Sequence, residues 1–465
     1  MIRLTLAQVA DVVGGTPLAG VGAAAAVDDV VIDSRRARAG SLFVPLPGEH
    51  VDGHDFVGDA LARGAAGFLV AAERADRWVA APGVAVDDPG DALLGLGAWV
   101  RATVAPTVVA VTGSSGKTTT KDLIGAAAGA QRRVVANPGS YNNELGVPLT
   151  CCLLTGDTEV LVAEVGARGV GHISSLAWVL DPDVAVVTAV SAAHLETFGD
   201  VDTVARAKRE LLDALGRHGV AVLNADDPRV AAMAQGSPAD VVTYSRHDPA
   251  ATWHARDVRL DGRARASFAA VGPGGVDVAV RLPVPGGHNV GNALAALAVA
   301  HRCGVDPAAA AAALETARVS SWRMQLAETA GGVVVLNDAY NANPASTAAA
   351  LETLAAMATD GRRWAVLGQM AELGGGSGQA HAGVGRLAAR LGVDGIVVVG
   401  REAAAIGEAV DPGSPTRVVP AQDADAALAA VRERLGPGDV VLVKGSRVAG
   451  LERVAAALLD AGGGA

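Results

Sequence analysis

Lysine is nearly missing from this chain of 465 residues: of its 38 basic residues, only Lys117, Lys121, Lys208 and Lys444 are not arginine. Each survivor therefore marks a candidate site for a compact amine rather than a planar guanidinium. Asparagine is thinned in the same way. Its nine copies fall mostly in three clusters: Asn137, Asn142 and Asn143; Asn289 and Asn292; Asn337, Asn341 and Asn343. Codon pressure leaves random survivors, and it does not explain clusters.

Other absences narrow the class. The three cysteines, Cys151, Cys152 and Cys303, are odd in number with two adjacent, which excludes a disulfide framework or a metal-ligand spacing and fits a reducing cytoplasm. The opening "MIRLTLAQVADVVGG" has no charged leader with an apolar run and cleavage site, and no later stretch offers 18 spanning apolar residues. A soluble, cytoplasmic protein without membrane insertion is expected. A formal net charge of -11 argues against nucleic-acid partners, which are bound through clustered Lys and Arg. With 50% hydrophobic residues the chain can bury large cores, and at roughly 150 residues per domain it should form about three.

The pattern along the chain agrees. Residues 1–84 alternate short apolar runs with helical stretches, as a small α/β domain does. Residues 85–318 carry the buried-type strands "TVVAVTG", "VLVAEVG", "VAVVTAV" and "VAVLNA" separated by helix-length segments, the mark of a parallel sheet with crossover helices. Within that block, 251–285 breaks the rhythm and reads as an antiparallel flank. Residues 319–465 repeat the alternation as a second doubly wound, Rossmann-like α/β domain, and the tail "AGGGA" reads as frayed.

The strongest chemical signal is "TVVAVTGSSGKTTTKD". A strand runs into Gly113-Ser114-Ser115-Gly116-Lys117-Thr118-Thr119, and a helix is expected from about Thr118 to Ala130. The two glycines let backbone amides approach phosphate oxygens at a helix N-terminus, with Lys117 on the β and γ phosphates and Thr118 on a metal. The longer phosphate-loop pattern would need glycine at 111, where this chain has Val111. Glu164 ends the strand "VLVAE", where open parallel sheets bind ligands, and offers a hard cation an oxygen; an ordinary loop carboxylate is the other reading. His194 follows "VAVVTAV" and can reach the same edge, although a lone histidine is more often structural. In "GGHNVGNALAA", His288, Asn289 and Asn292 open a helix that Asn289 would cap. In "LNDAYNANPAS", Asp338, Asn341 and Asn343 end another buried strand.

Taken in order, "TGSSGKTTT", "EVGA", "HLETFGD" with "ARAKREL", "GHNVGNALAA", "WRM", "NDAYNANP", "MAELGGGSGQAH" and "LVKGSR" resemble the Mur ligase family. The resemblance begins at "DSRRARAGSLFVPLPGEHVDGHDF" and ends at Lys444, and "DAYNANP" with "MAELG" is its most specific part. It is to the branch of the family that joins D-alanyl-D-alanine to a UDP-N-acetylmuramoyl-tripeptide. ATP would phosphorylate the tripeptide carboxylate, and the dipeptide amine would displace phosphate. The resemblance implies one Mg2+ on Thr118 and Glu164, and a second on His194 and a carbamylated Lys208. On the ATP side it implies the loop Gly113 to Thr119, Asn137, His288, Asn292, Arg323 on phosphate, Asp338 on ribose, and Asn341. Ser34, Arg35 and Gly48 would contact the uridine diphosphate, and Lys444, Ser446 and Arg447 would lie near the incoming peptide. Residues 1–84 become the UDP-substrate domain, 85–318 the ATP domain, and 319–465 the domain of acceptor and ATP contacts, in a monomer.

One departure stands out. The family approaches Arg323 through a glycine, whereas Trp322 stands here, and a tryptophan does not enter positive φ as glycine does. The path into the third domain is expected to differ. The rivals are a sibling ligase that adds one amino acid, a folylpolyglutamate synthetase, and a module in which ATP drives only a conformational change. The first loses ground because the third domain lacks an Asp-Asn-Pro-Arg-type motif; the last would turn over ATP slowly without other substrates.

Overall fold

The computed structural model describes residues 1–18, 25–48 and 50–460. The glycine-rich tail expected to fray, 461–465, lies outside the described residues.

Three large sheets organise the described chain, beside a two-stranded antiparallel pair of Leu4–Thr5 and Ala26–Val27. The first has five strands in the order Thr16–Pro17, Gly83–Val86, Gly67–Ala71, Ser41–Phe43 and Asp29–Val31, parallel except at the Thr16–Pro17 edge. The second has nine. Its parallel part runs Val134–Ala136, Val160–Glu164, Thr107–Thr112, Val184–Val187, Val220–Asn224, Asp240–Ser245 and Trp253–Leu260. Strands Arg265–Gly272 and Val276–Pro285 then continue the same sheet antiparallel, so the flank expected at 251–285 extends the sheet rather than forming one of its own. The third sheet has five parallel strands, Val334–Asn337, Val440–Lys444, Arg363–Leu367, Gly395–Val399 and Arg417–Ala421, with Gln325–Glu328 antiparallel at one edge.

Strand periodicity explains how the central sheet is buried on both faces. Val108, Ala110, Leu161, Ala163, Ala185 and Val187 point into one core, and Val109, Val111, Val160, Val162, Val184 and Val186 into the other. Consecutive side chains of a strand face opposite ways, so a strand apolar at every position must be covered twice. The first core continues into the first sheet through Leu42, Leu69 and Val84, by way of the helix Pro89–Val104. The second is covered by the helix Asn289–Arg302, where alanines at 293, 295, 296, 298 and 300 are all buried. Small side chains let this helix lie close to the sheet.

The strand Thr107–Thr112 sits between Val160–Glu164 and Val184–Val187, so the chain winds to opposite sides of it. That switch point opens a crevice at the carboxyl ends of the strands. Seven α-helices of the described chain begin on a side chain that takes up free amides: Thr5, Asp88, Asp200, Asp227, Asp306, Asn343 and Asp423 all cap. The helix at the switch point, Lys117–Gly129, begins on Gly116 with no side-chain cap.

Candidate functional site

The loop 113–116 is built for close approach. Gly113 lies at φ 147, and a Cβ there would stand 2.0 Å from Thr188 Oγ1, so no side chain fits. Thr188 in turn donates to Ser115 O at 2.6 Å, and Ser114 N donates to Ala189 O at 2.8 Å, which braces the loop on the neighbouring strand. Val111 is wholly buried in the strand; glycine there would serve no purpose. The helix starts one residue earlier than expected, at Lys117. Its uncapped first amides and the helix dipole face the crevice, the arrangement that binds phosphate. Lys117 Nζ donates to Gly113 O at 2.8 Å, and burial lowers its pKa against an opposing pull from Glu164.

Beside the loop, Thr118 Oγ1 donates to Glu164 Oε2 at 2.5 Å, and Asn142 Nδ2 to Glu164 Oε1 at 2.6 Å. Lys208 lies on Val201–Asp213, a helix whose pattern would put a lysine in solvent by default, yet it is 3% exposed. Burial, with the Lys117 charge added, draws its amine down to about 7. His194 adopts φ 55 and touches Glu372 of the third-sheet unit, itself at φ 62, through Nδ1 and Oε2. Left-handed non-glycine residues cost energy and persist where surrounding structure holds them.

On the other wall, His288 is pushed down to about 4 by desolvation, with Arg246 and Lys444 adding to the effect, and so is neutral at neutral pH. Asn289 does not cap its helix. It is the first helical residue, donates to Pro285 O at 2.7 Å and accepts from Asn292 Nδ2 at 2.8 Å, because His288 occupies the cap position. Asn292 Oδ1 accepts from Thr120 Oγ1, which locks this helix to the phosphate-loop helix. From the third sheet, Asp338 accepts Lys444 Nζ at 2.5 Å and Met324 N at 3.0 Å, and Lys444 also donates to Asn341 O. Arg323 donates to Ser140 Oγ at 2.8 Å and stacks 4.2 Å from the Tyr340 ring, while its buried Nε has no partner among the described residues. Asn343 Nδ2 reaches across to Ser114 O at 3.2 Å.

The expectation about Trp322 needs correcting. It does enter positive φ, at 61, as does Met324 at 50, so the chain keeps the left-handed path that glycine would allow. The compensation is visible: Arg447 stacks 4.5 Å from the Trp322 ring, and Trp322 O accepts Tyr340 N.

A cavity of about 1130 Å³ gathers these residues. Its wall includes Gly113, Ser114, Ser115, Gly116, Lys117, Thr118 and Thr119 of the loop, and Glu164, His194 and Lys208 beside it. His288, Asn292, Arg323, Asp338, Asn341 and Lys444 complete the expected set. Other expected residues lie elsewhere. Asn137 is interior, its amide held between Gly139 O and Glu164 N. Ser34 and Arg35 sit at the end of the first-sheet strand Asp29–Val31, with Arg35 paired to Asp33, and Gly48 accompanies them on that unit. Ser446 is buried between Ala371 N and Ala342 O, and Arg447 pairs with Glu452.

Sequence reasoning passed over wall residues too. Asn142 stood in a noted asparagine cluster, and Tyr340 and Glu372 stood inside "DAYNANP" and "MAELG". Asp226 and Arg246, paired at 3.3 Å, carried no local signal beyond following strands.

Comparisons with known proteins match the chain along its length. Residues 27–93 match the Mur ligase family catalytic domain, 111–300 the Mur ligase middle domain, and 322–447 the Mur ligase glutamate ligase domain. The UDP-N-acetylmuramoyl-tripeptide--D-alanyl-D-alanine ligase of Mycobacterium tuberculosis strain CDC 1551 is 43% identical over 99% of this chain and 98% of that protein. The Escherichia coli K12 protein of the same name is 35% identical over 99% and 100%. Among solved structures, MurF from Acinetobacter baumannii aligns with TM-score 0.88 at 30% identity, covering 98% of this chain and 99% of that one. MurF from Thermotoga maritima in complex with ADP aligns with TM-score 0.79 at 28% identity, covering 93% and 97%. With three family domains matched in order and relatives this similar along its whole length, the chain belongs to the Mur ligase family.

Proposed function

We propose that this chain is an ATP-dependent, ADP-forming ligase that joins D-alanyl-D-alanine to UDP-N-acetylmuramoyl-tripeptide through an acyl phosphate, giving the pentapeptide precursor of peptidoglycan. The observation that carries the reading is a single cavity uniting an uncapped phosphate loop, the desolvated Lys208 and the polar edge of the third sheet. Relatives of that name at 43% and 35% identity support it.

In this reading the loop amides and Lys117 receive the ATP phosphates, and Arg323 brings a guanidinium with an unpartnered Nε to the same end. Phosphoryl transfer asks the protein mainly for position and charge, which fixed donors in a recessed cleft provide. Asp338 serves the ribose, with His288, Asn292 and Asn341 on the nucleotide side; Asn137 acts from behind the loop. The hydroxyl of Thr118 and the carboxylate of Glu164 are hard oxygen donors and fit Mg2+. Among the described residues no three His, Cys, Asp or Glu side chains converge on a metal, which suits an ion that takes its remaining ligands from phosphates. Thr118 and Glu164 would hold one Mg2+, and His194 with carbamylated Lys208 a second, neutralising phosphate charge when bound. An amine near pKa 7 is about half neutral near pH 7, against a trace for an ordinary lysine, and the neutral form is the one that CO2 modifies.

Ser34, Arg35 and Gly48 are assigned to the uridine diphosphate on the 1–84 unit. Lys444, Ser446 and Arg447 are assigned to the acceptor side of the 319–465 unit, and 85–318 is the ATP unit. Among the described residues no helix is long and apolar enough to cross a membrane; action as a cytoplasmic monomer is part of the proposal. A phosphate-release assay over a matrix of UDP-muramoyl peptides and amine acceptors tests the whole reading. Release is expected only with ATP, the tripeptide substrate and D-alanyl-D-alanine together; equal turnover with a single amino acid would sink it.

A further inference from the structure

Of the four lysines, Lys121 has no part in the proposed reaction, yet it is 2% exposed. It sits one turn beyond Lys117 on the phosphate-loop helix, and burying an ammonium is costly unless every proton finds a partner. Lys121 Nζ donates to Asn137 O at 2.6 Å and to Gly139 O at 3.0 Å, and forms an ion pair with Asp122, 2.9 Å from its Oδ1. A tetrahedral amine suits two carbonyls and a carboxylate arranged around one point; a planar guanidinium would not.

Asp122 turns its second oxygen elsewhere. Oδ2 accepts the backbone N–H of Ser320 at 2.7 Å, 198 residues along the chain, on the strap 316–324 that leads from the central sheet to the third. Three residues on, Arg323 donates to Ser140 Oγ, next to the Gly139 carbonyl that Lys121 holds. Ser140 Oγ is also 3.4 Å from Thr118 Oγ1 of the phosphate loop. Adjacent residues of one helix thus hold both parts that fix Arg323: Lys121 the loop beneath it, Asp122 the strap that carries it. The strap is held in two left-handed residues, Trp322 and Met324, on either side of Arg323. Such a path needs external tethers.

We infer that Lys121 and Asp122 are a positioning pair that sets the Arg323 guanidinium against the phosphate loop by fastening the interdomain strap to the phosphate-loop helix. The inference rests on the proposed role of Arg323 at phosphate and adds how that role is enforced. Displacing a catalytic group by about 1 Å from a distance costs up to about 100-fold in rate.

A double-mutant cycle tests it, with Asp122→Ala, Arg323→Ala and the double variant followed by phosphate release with all three substrates, and by melting temperature. Asp122→Ala is expected to lower kcat by about tenfold or more; it also leaves the buried Lys121 ammonium with only carbonyls, so melting should fall as well, and kcat is read well below the transition, where the variant is folded. Arg323→Ala should lose more, and the double variant should match Arg323→Ala within about twofold, since a residue acting through another adds nothing once that other is gone. A double variant showing the product of the two losses, or wild-type kcat in Asp122→Ala beside a slow Arg323→Ala, overturns the inference alone. Wild-type kcat in Arg323→Ala overturns the reading of Arg323 and the inference with it. Should Asp122→Ala fail to fold, Ser320→Pro removes the same hydrogen bond from the strap side and enters the same cycle.

Discussion

Two parts of the cavity wall reach it by opposite routes. The phosphate loop is contiguous, Gly113 to Thr119, and the protein leaves its helix amides without a side-chain cap. The edge of the third sheet is assembled from Asp338 and Asn341 and from Lys444, more than 100 residues further on, and these side chains and carbonyls bind one another. A loop whose donors lack protein partners is ready for an anion, and removing it should harm chemistry more than folding. An ion pair whose ammonium is buried is a structural element even where it borders a ligand, and breaking it should harm folding.

The largest expected effect tests the second half of that contrast. Asp338→Ala leaves the Lys444 ammonium 2% exposed with only carbonyls to meet it, and should cost about 3–5 kcal/mol by chemical unfolding. A loss below about 1 kcal/mol would mean that the pair is not structural. Lys117→Ala is the counterpart. Its contact within the chain is the Gly113 carbonyl, so the melting temperature should hold while turnover falls by about 10²–10³-fold, as for other transition-state donors. Equal damage to stability would erase the distinction between the two regions.

Lys208 lies between the two cases, since its burial serves chemistry at a cost to folding. Its pKa near 7 in the fold stands below the ordinary 10.5, so the unfolded chain holds one more proton between those values, and stability should rise with pH across that window. Lys208→Met, in chelator and CO2-free buffer, should melt above the parent at pH 7, with the gain shrinking toward pH 10.5; a pH-independent difference would count against the buried neutral amine. Lys208→Arg should lose most activity, and carbon NMR with labelled bicarbonate should show a carbamate only in the parent. The smallest effect supplies the control. Asp88 caps an ordinary helix through Gly90 N and Asp91 N, so Asp88→Ala should cost about 1 kcal/mol and leave turnover unchanged.

Much of this was legible beforehand. Doubly apolar strands announced two-sided burial and the parallel sheets, the broken rhythm at 251–285 announced the antiparallel flank, and "TGSSGKTTT" announced a phosphate site at the switch strand. Glu164 and His194 line the cavity at the strand ends, where the sequence put them, and Lys208 lines it too, from a helix whose pattern pointed to solvent. Less legible were residues whose role depends on a distant partner. Asn289 read as a cap because cap preference is local, but His288 took the position. Asp226 and Arg246 face the cavity after strands that read like any others.

By itself, then, the amino-acid sequence determined the three α/β units, their strand and helix order, the phosphate loop and the scarcity that singled out four lysines. Those properties follow from periodicity, backbone freedom and residue type within a few turns of chain. Only the tertiary structure decided what each lysine faces: Lys117 the loop, Lys208 a desolvated pocket, Lys444 an aspartate 106 residues away, and Lys121 the base of the interdomain strap. It also decided that Trp322 would occupy a left-handed position. The reason is physical: burial and long-range partners set the protonation and strain of a side chain, and neither is specified until sheets and helices have packed.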